Sequence, residues 1–314
     1  MRRHANVGLT FVIAATIAAG ITSVHGADQT PVVIPLHLDR GTFGENRLGI
    51  DVTLGSKTQR VLFDTGSTGL RVMASALPAG AFRRTGREAK YEYGSGTVLE
   101  GDEASASMTI GSVHGNVPMQ VVDKLDCSPD VPNCPDQDAF QLEMFGELYP
   151  GILGAYPRPP ALEGCCDNPL GALDGRIGRT FILHANFDAP AVTLDPAPAT
   201  VAGFTIVSIS ALGAPRGCIR VYEVQHETCG PVLFDTGSGA IFVETMGTVP
   251  GPPWTHALLR LGSWSHDFSL GPRAPNVPIS IRRGDATRIV IGLAALQTFD
   301  VYFDLDGRRI GMSK

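Results

Sequence analysis

The sequence lacks most of the short signatures that carry enzyme chemistry on their own. There is no G-x-S-x-G elbow, and no serine pairs with a histidine from chain order alone. There is no P-loop and no dinucleotide fingerprint, because GILGAY at residues 151–156 has too few correctly spaced glycines. No C-x-x-C or paired-histidine spacing accompanies the six cysteines, so no metal and no cofactor is expected. His256 and His266 read as loop or surface residues. A basic excess is also missing. Without Arg2 and Arg3, which belong to a leader described below, 23 basic side chains face 31 acidic ones, a net charge of about −8. This argues against nucleic acid as a partner. Long helical periodicity is scarce as well, and residues 138–148 and 255–261 are the best short candidates.

What is present begins with residues 1–26. Arg2 and Arg3 precede an apolar run at 7–21, and Val24, His25 and Gly26 close the segment in the pattern of a cleavable export signal. The run is short for a membrane span, and no cysteine follows it to carry a lipid. The expected product is exported, periplasmic or extracellular, with no stable membrane insertion once the signal is removed. Six cysteines in that setting favour disulfides. Cys218 and Cys229 flank IRVYEVQHET, a candidate hairpin that one bridge would close. Cys127, Cys134, Cys165 and Cys166 form a second set. Adjacent cysteines resist bonding to each other, which favours crossed pairing of Cys127 and Cys134 with Cys165 and Cys166; a Cys127–Cys134 bridge is the alternative.

With 37 glycines, 23 prolines and many Val, Ile and Thr, the chain reads as short strands and frequent turns, hence mainly β. Within it, VLFDTGS occurs twice, at residues 61–67 and 232–238. Each copy is an apolar strand that breaks at a turn-forming Asp-Thr-Gly. The context repeats in the same order. Gly151-Ile152-Leu153-Gly154 follows the first copy, with Phe181-Ile182-Leu183 and AVTLDP after it. Ile289-Val290-Ile291-Gly292 follows the second, with Leu296 and VYFDLDGRRIGM after it. Asp64 and Gly154 are 90 positions apart, whereas Asp235 and Gly292 are 57 apart, so the second half is the shorter. The expected division is 27–200 and 201–314, with the boundary near Thr200 after the connector DPAPAT.

These paired loops and apolar-apolar-Gly segments resemble the pepsin-like aspartic proteases across nearly all of the chain beyond the leader. The resemblance implies two related β lobes with a cleft between them, each contributing one Asp loop, and a monomer acting on a protein or peptide substrate. It implies that Asp64 and Asp235 are a catalytic dyad sharing one proton, since two adjacent carboxylates do not both ionise cheaply. Thr65 and Thr236 would cross-link the loops, Gly66 and Gly237 would allow close approach, and Ser67 and Ser238 would bond the outer carboxylate oxygens. YEYGSGTVLEG at 91–101 is similar to the family's flap, and Tyr93, Gly94 and Ser95 match its tip. Hydrolysis would then proceed through activated water, with an acidic optimum. The alternative is a silent relative that binds a peptide, polysaccharide or enzyme partner.

The chain also departs from the family. Arg71 stands where animal members carry a Trp that bonds the flap Tyr, so an arginine lining the cleft and favouring acidic or polar substrate side chains is expected. Asp64 lies 38 positions after Gly26, which leaves no room for a basic pro-segment. That spacing and the signal suggest a bacterial exported member that needs no such removal to become active.

Overall fold

The computed structural model describes residues 30–41, 45–129, 148–157, 165–210, 213–223, 226–249, 251–273 and 275–313. The expected signal, the expected helix at 138–148 except its last residue, and Cys134 lie outside them.

In the first half the strands are β1 (Val32–Pro35), β2 (His37–Arg40), β3 (Asn46–Leu54), β4 (Lys57–Asp64), β5 (Thr68–Met73), β6 (Phe82–Glu92), β7 (Thr97–Ile110), β8 (Val113–Cys127), β9 (Gly151–Ala155), β10 (Thr180–His184) and β11 (Ala191–Leu194). A short helix at Pro198–Val201 occupies the expected connector. Beyond it lie β12 (Phe204–Ser208), β13 (Arg216–Val221), β14 (His226–Asp235), β15 (Ile241–Thr245), β16 (His256–Leu261), β17 (Trp264–Ser269), β18 (Ile279–Arg283), β19 (Arg288–Gly292), β20 (Val301–Asp304) and β21 (Arg309–Ser313). The chain is therefore mainly β. Among the described residues no helix is long and apolar enough to cross a membrane.

Three sheets organise these strands. An eight-stranded sheet belongs to the first half, in the order β2-β3-β4-β9-β5-β8-β7-β6, and a seven-stranded sheet to the second, in the order β17-β16-β13-β14-β19-β15-β18. The third, β1-β11-β10-β20-β21-β12, takes three strands from each half and has the same plan read from either end. At its centre β10 meets β20 antiparallel, with Phe181 opposite Phe303 and their rings stacked at 4.7 Å between centroids. By this symmetry β10 corresponds to β20 and β11 to β21, so AVTLDP answers to the RIGM strand rather than to VYFDLD.

The repeated heptapeptide has the same surroundings in both halves. β4 runs parallel to β9, with Leu62 opposite Ile152 and Asp64 opposite Gly154. β14 runs parallel to β19, with Leu233 opposite Val290 and Asp235 opposite Gly292. In both, the strand after the loop returns antiparallel along the other edge of the same partner. Strand periodicity then sorts the side chains. Val61, Phe63, Val232 and Phe234 are fully buried in the main core, each phenylalanine contributing at most about 3 kcal/mol of apolar burial. The intervening Leu62 and Leu233 point to the opposite face. The glycine ending each apolar-apolar-Gly segment is dictated by proximity. A Cβ on Gly154 would lie 2.7 Å from the Thr68 nitrogen, and one on Gly292 would strike the Ala240 carbonyl.

Two expectations are corrected. Residues 255–261 are not helical: β16 buries Ala257, Leu259 and Leu261 on one face, a period of two, and pairs with both β13 and β17. Crossed pairing of the second cysteine set is not the arrangement in the structure, which sets the Cys165 and Cys166 sulfurs against each other, with a cis peptide bond between the two residues and Cα atoms 3.0 Å apart. Cys218 and Cys229 form the expected bridge, facing each other across the β13–β14 hairpin with Cα atoms 4.0 Å apart.

Candidate active site

The two Asp-Thr-Gly loops meet, although 171 positions separate them. The threonines interlock. Thr65 N donates to Thr236 Oγ1 at 3.0 Å and Thr236 N donates to Thr65 Oγ1 at 3.1 Å. Each hydroxyl then donates to the carbonyl two residues before the opposite threonine, Thr65 to Phe234 at 2.9 Å and Thr236 to Phe63 at 2.6 Å. Both threonines are fully buried, so two N–H groups, two hydroxyls and two carbonyls, six polar groups in all, satisfy one another across the halves. Each crossing strand also ties back to its own loop: Tyr156 N donates to Ser67 O and Leu293 N to Ser238 O.

This interlock brings Asp64 and Asp235 together. A Cβ on Gly66 would fall inside the Asp235 carboxyl, and one on Gly237 would lie 2.9 Å from Asp64 Oδ1. The two carboxyls are held alike. Gly66 N and Ser67 Oγ donate to Asp64 at 2.7 and 2.5 Å, and Gly237 N and Ser238 Oγ donate to Asp235 at 2.9 and 2.7 Å. Both carboxyls border one cavity, Asp64 as a buried residue and Asp235 as a partly buried one. Burial, and then the charge of Asp64, push Asp235 well above the usual carboxylate range, against the opposing bonds from Ser238 and Gly237. Such a pair retains one proton over a pH range in which isolated carboxylates have lost theirs.

The tip of the β6–β7 hairpin, where the resemblance expects a flap, borders the same cavity as this pair. It closes with Tyr93 N donating to Thr97 O and Gly96 N to Tyr93 O. Tyr93, Gly94 and Ser95 all border the cavity. The Tyr93 hydroxyl is buried beside Ser67 without a well-formed hydrogen bond. Tyr91, absent from the expected site, borders it too, and its ring meets that of Tyr93 edge-on at 4.9 Å. The alternation in YEY would have revealed it, since residues two apart share a strand face. Burial, opposed by the Arg71 charge and reinforced by that of Asp64, raises both phenols, so both stay protonated.

Arg71 does not line the cleft as expected. It is fully buried, with Nη1 donating to the Thr68 carbonyl at 2.6 Å, Nη2 to the Cys165 carbonyl at 3.4 Å, and its guanidinium 3.5 Å from the centre of the Tyr91 ring. Carbonyl dipoles and an aromatic face replace the water a buried cation loses. Its neighbour in the sheet, Gln120, donates to Ala89 O on β6 and Leu99 O on β7, pinning both flap strands from below. Arg71 is thus a strut under the flap.

The cavity over the carboxylates measures about 410 Å³, and a second of about 310 Å³ adjoins it along Ser67, Tyr91, Leu233 and Arg288. The wall facing the flap comes from the second half and contains Phe242, Glu244, Arg282 and Arg288, with Arg47 nearby from β3. None of these was expected from sequence. Phase would have found some of them, because Phe242 and Glu244 alternate with the buried Ile241, Val243 and Thr245. Among the described residues the one cluster with metal-ligand proximity is Cys218, Glu227 and Cys229, whose two sulfurs are already bonded to each other.

No protein-family model matches the chain, and no curated protein matches it.

Proposed function

We propose that the protein is an aspartic endopeptidase of the pepsin-like type, exported and two-lobed, that hydrolyses peptide bonds with water held between Asp64 and Asp235. The observation that carries this reading is the reciprocal Thr65–Thr236 exchange, which sets two identically bonded carboxylates against each other under a tyrosine-bearing hairpin. In this reading Asp64 is the ionised partner and Asp235 holds the proton, favoured there by its raised affinity. Asp64 takes a proton from water as its oxygen attacks the peptide carbonyl carbon. Asp235 gives its proton to the carbonyl oxygen, and a neutral gem-diol results without an acyl-enzyme. Collapse breaks the C–N bond, the nitrogen takes a proton from Asp64, a gem-diol hydroxyl returns one to Asp235, and the pair is restored. Tyr91 and the hairpin-tip residues Tyr93, Gly94 and Ser95 border the space in which a peptide would lie beneath the flap.

The test is cleavage of an unstructured protein from about pH 3 to 7, with and without a statine-type transition-state mimic, by wild type and Asp235→Asn. Mimic-sensitive cleavage lost in the variant is expected. Cleavage that persists in Asp235→Asn removes the dyad. Absence of cleavage by wild type throughout removes the peptidase reading and leaves a binding role for the cleft.

A further inference from the structure

The wall opposite the flap carries more positive than negative charge, and its geometry shows where the excess lies. On adjacent strands Glu244 stands opposite both Arg282 on β18 and Arg288 on β19. It pairs with Arg282, whose Nε lies 2.7 Å from Oε1, and with Arg288 Nε at Oε2. One carboxylate therefore serves two guanidiniums, leaving this row a net charge of one positive. Among the described residues the two Nη groups of Arg288 have no other partner, and the side chain is 48% exposed. Arg288 also borders both cavities, and its Nη1 lies 3.7 Å from where a Cβ on the flap-tip Gly94 would sit. A peptide passing between flap and floor beside the aspartates passes this guanidinium. The other large side chains on the same face, Leu233, Phe242 and Val290, are apolar and do not compete for it.

We propose, on the basis of the peptidase reading, that the cleft selects peptides bearing an Asp or Glu side chain close to the scissile bond, with Arg288 as the residue that recognises it. The planar fork of two unpaired Nη groups matches a carboxylate in bidentate geometry, whereas an amide offers it one neutral acceptor. Glu244 holds the guanidinium in place through Nε and partly neutralises it. Lysine or arginine at the same substrate position meets the excess positive charge and is disfavoured.

The experiment uses the full chain and peptides that differ only in having Glu, Gln or Lys at each of the positions flanking one cleavable bond, at about pH 5.5, where a Glu side chain is ionised. At one position wild type should cleave the Glu peptide with a kcat/KM about tenfold above the Gln peptide, with Lys the poorest. Arg288→Gln should bring the Glu-to-Gln ratio close to one. Glu244→Gln, which releases both arginines, should raise it. Equal kcat/KM for Glu and Gln at every position in wild type, or a ratio that Arg288→Gln leaves intact, overturns the proposal. A second arm measures binding of the same peptides, with the scissile amide reduced, to the Asp235→Asn protein by fluorescence anisotropy. Glu preference there, lost with Arg288→Gln, supports the acidic site even if wild type cleaves nothing, a result that would sink the peptidase reading alone. Equal affinities sink the acidic site alone.

Discussion

Arg71 and Phe242 each stand seven positions beyond the aspartate of their loop, and each lies opposite the equivalent residue of its crossing strand, Arg71 facing Ile152 and Phe242 facing Val290. Yet Arg71 is wholly buried and Phe242 is 40% exposed. The difference comes from what lies on top. In the first half the long strands β6, β7 and β8 extend into the flap, and this face is sealed into a small core of Leu62, Leu99, Val122, Tyr149 and Ile152. Among the described residues of the second half nothing equivalent covers the face, so Leu233, Val290 and Phe242 become the cleft wall. One strand plan thus supplies a roof from one half and an open floor from the other.

The first way to break this comparison is at its most symmetric point. On the proposed peptidase reading, Asp64→Asn and Asp235→Asn should each lower kcat/KM at least about 10³-fold, because a proton shared by the pair needs both groups. A variant retaining more than a tenth of wild-type activity would show that the halves are not chemical partners. Next is the threonine exchange. Thr65→Ala leaves the Phe234 carbonyl and the Thr236 N–H unpaired, and Thr236→Ala leaves the Phe63 carbonyl and the Thr65 N–H unpaired. Each should cost about 2–4 kcal/mol in chemical denaturation, and by nearly equal amounts. A large inequality would mean that one half carries the junction.

The third prediction sharpens the contrast itself. Arg71→Leu strips donors from the Thr68 and Cys165 carbonyls and should cost about 2–3 kcal/mol in denaturant unfolding, whereas Phe242→Ala should cost less than about 1 kcal/mol. Phe242→Ala should instead raise KM several-fold with kcat little changed. If Phe242→Ala were the more destabilising, the roof-and-floor distinction would be wrong.

The last concerns pH. Asp235 binds its proton more tightly in the folded chain than in the unfolded one, which releases it above about pH 4. Its contribution to stability is therefore full below that pH and is lost as pH rises through the raised folded value. Asp235→Asn escapes this loss and should be more stable than wild type near neutrality by about 1–3 kcal/mol, with the advantage gone by about pH 4. Urea unfolding of both proteins between pH 3.5 and 7.5 reads the difference. A gap that does not change with pH would mean that the carboxyls do not share a proton.

Much of this arrangement is legible in the chain. The twin heptapeptides, the paired apolar-apolar-Gly segments and the flap tip are local patterns, since strand alternation and the need for a glycine at a close crossing operate over a few residues. Alternation also separates Val61 and Phe63 from Leu62 before any fold is known. Residues 255–261 show the limit of such reading, because a short apolar segment takes its period from its neighbours and β13 and β17 supply pairing partners.

By itself, then, the sequence determined that the protein is mainly β, that its halves repeat one plan, and which two aspartates stand at equivalent positions. Only the tertiary structure decided that those carboxyls meet through interlocked threonines, that Arg71 is a buried strut rather than a cleft residue, and that Arg288 faces the flap across the cavity. The reason is physical. Burial and charge environment belong to the atoms packed around a side chain, and here those atoms come from strands far apart in sequence. Arg71 and Phe242 hold the same place in the repeated plan, and the presence or absence of a covering hairpin gives them opposite surroundings.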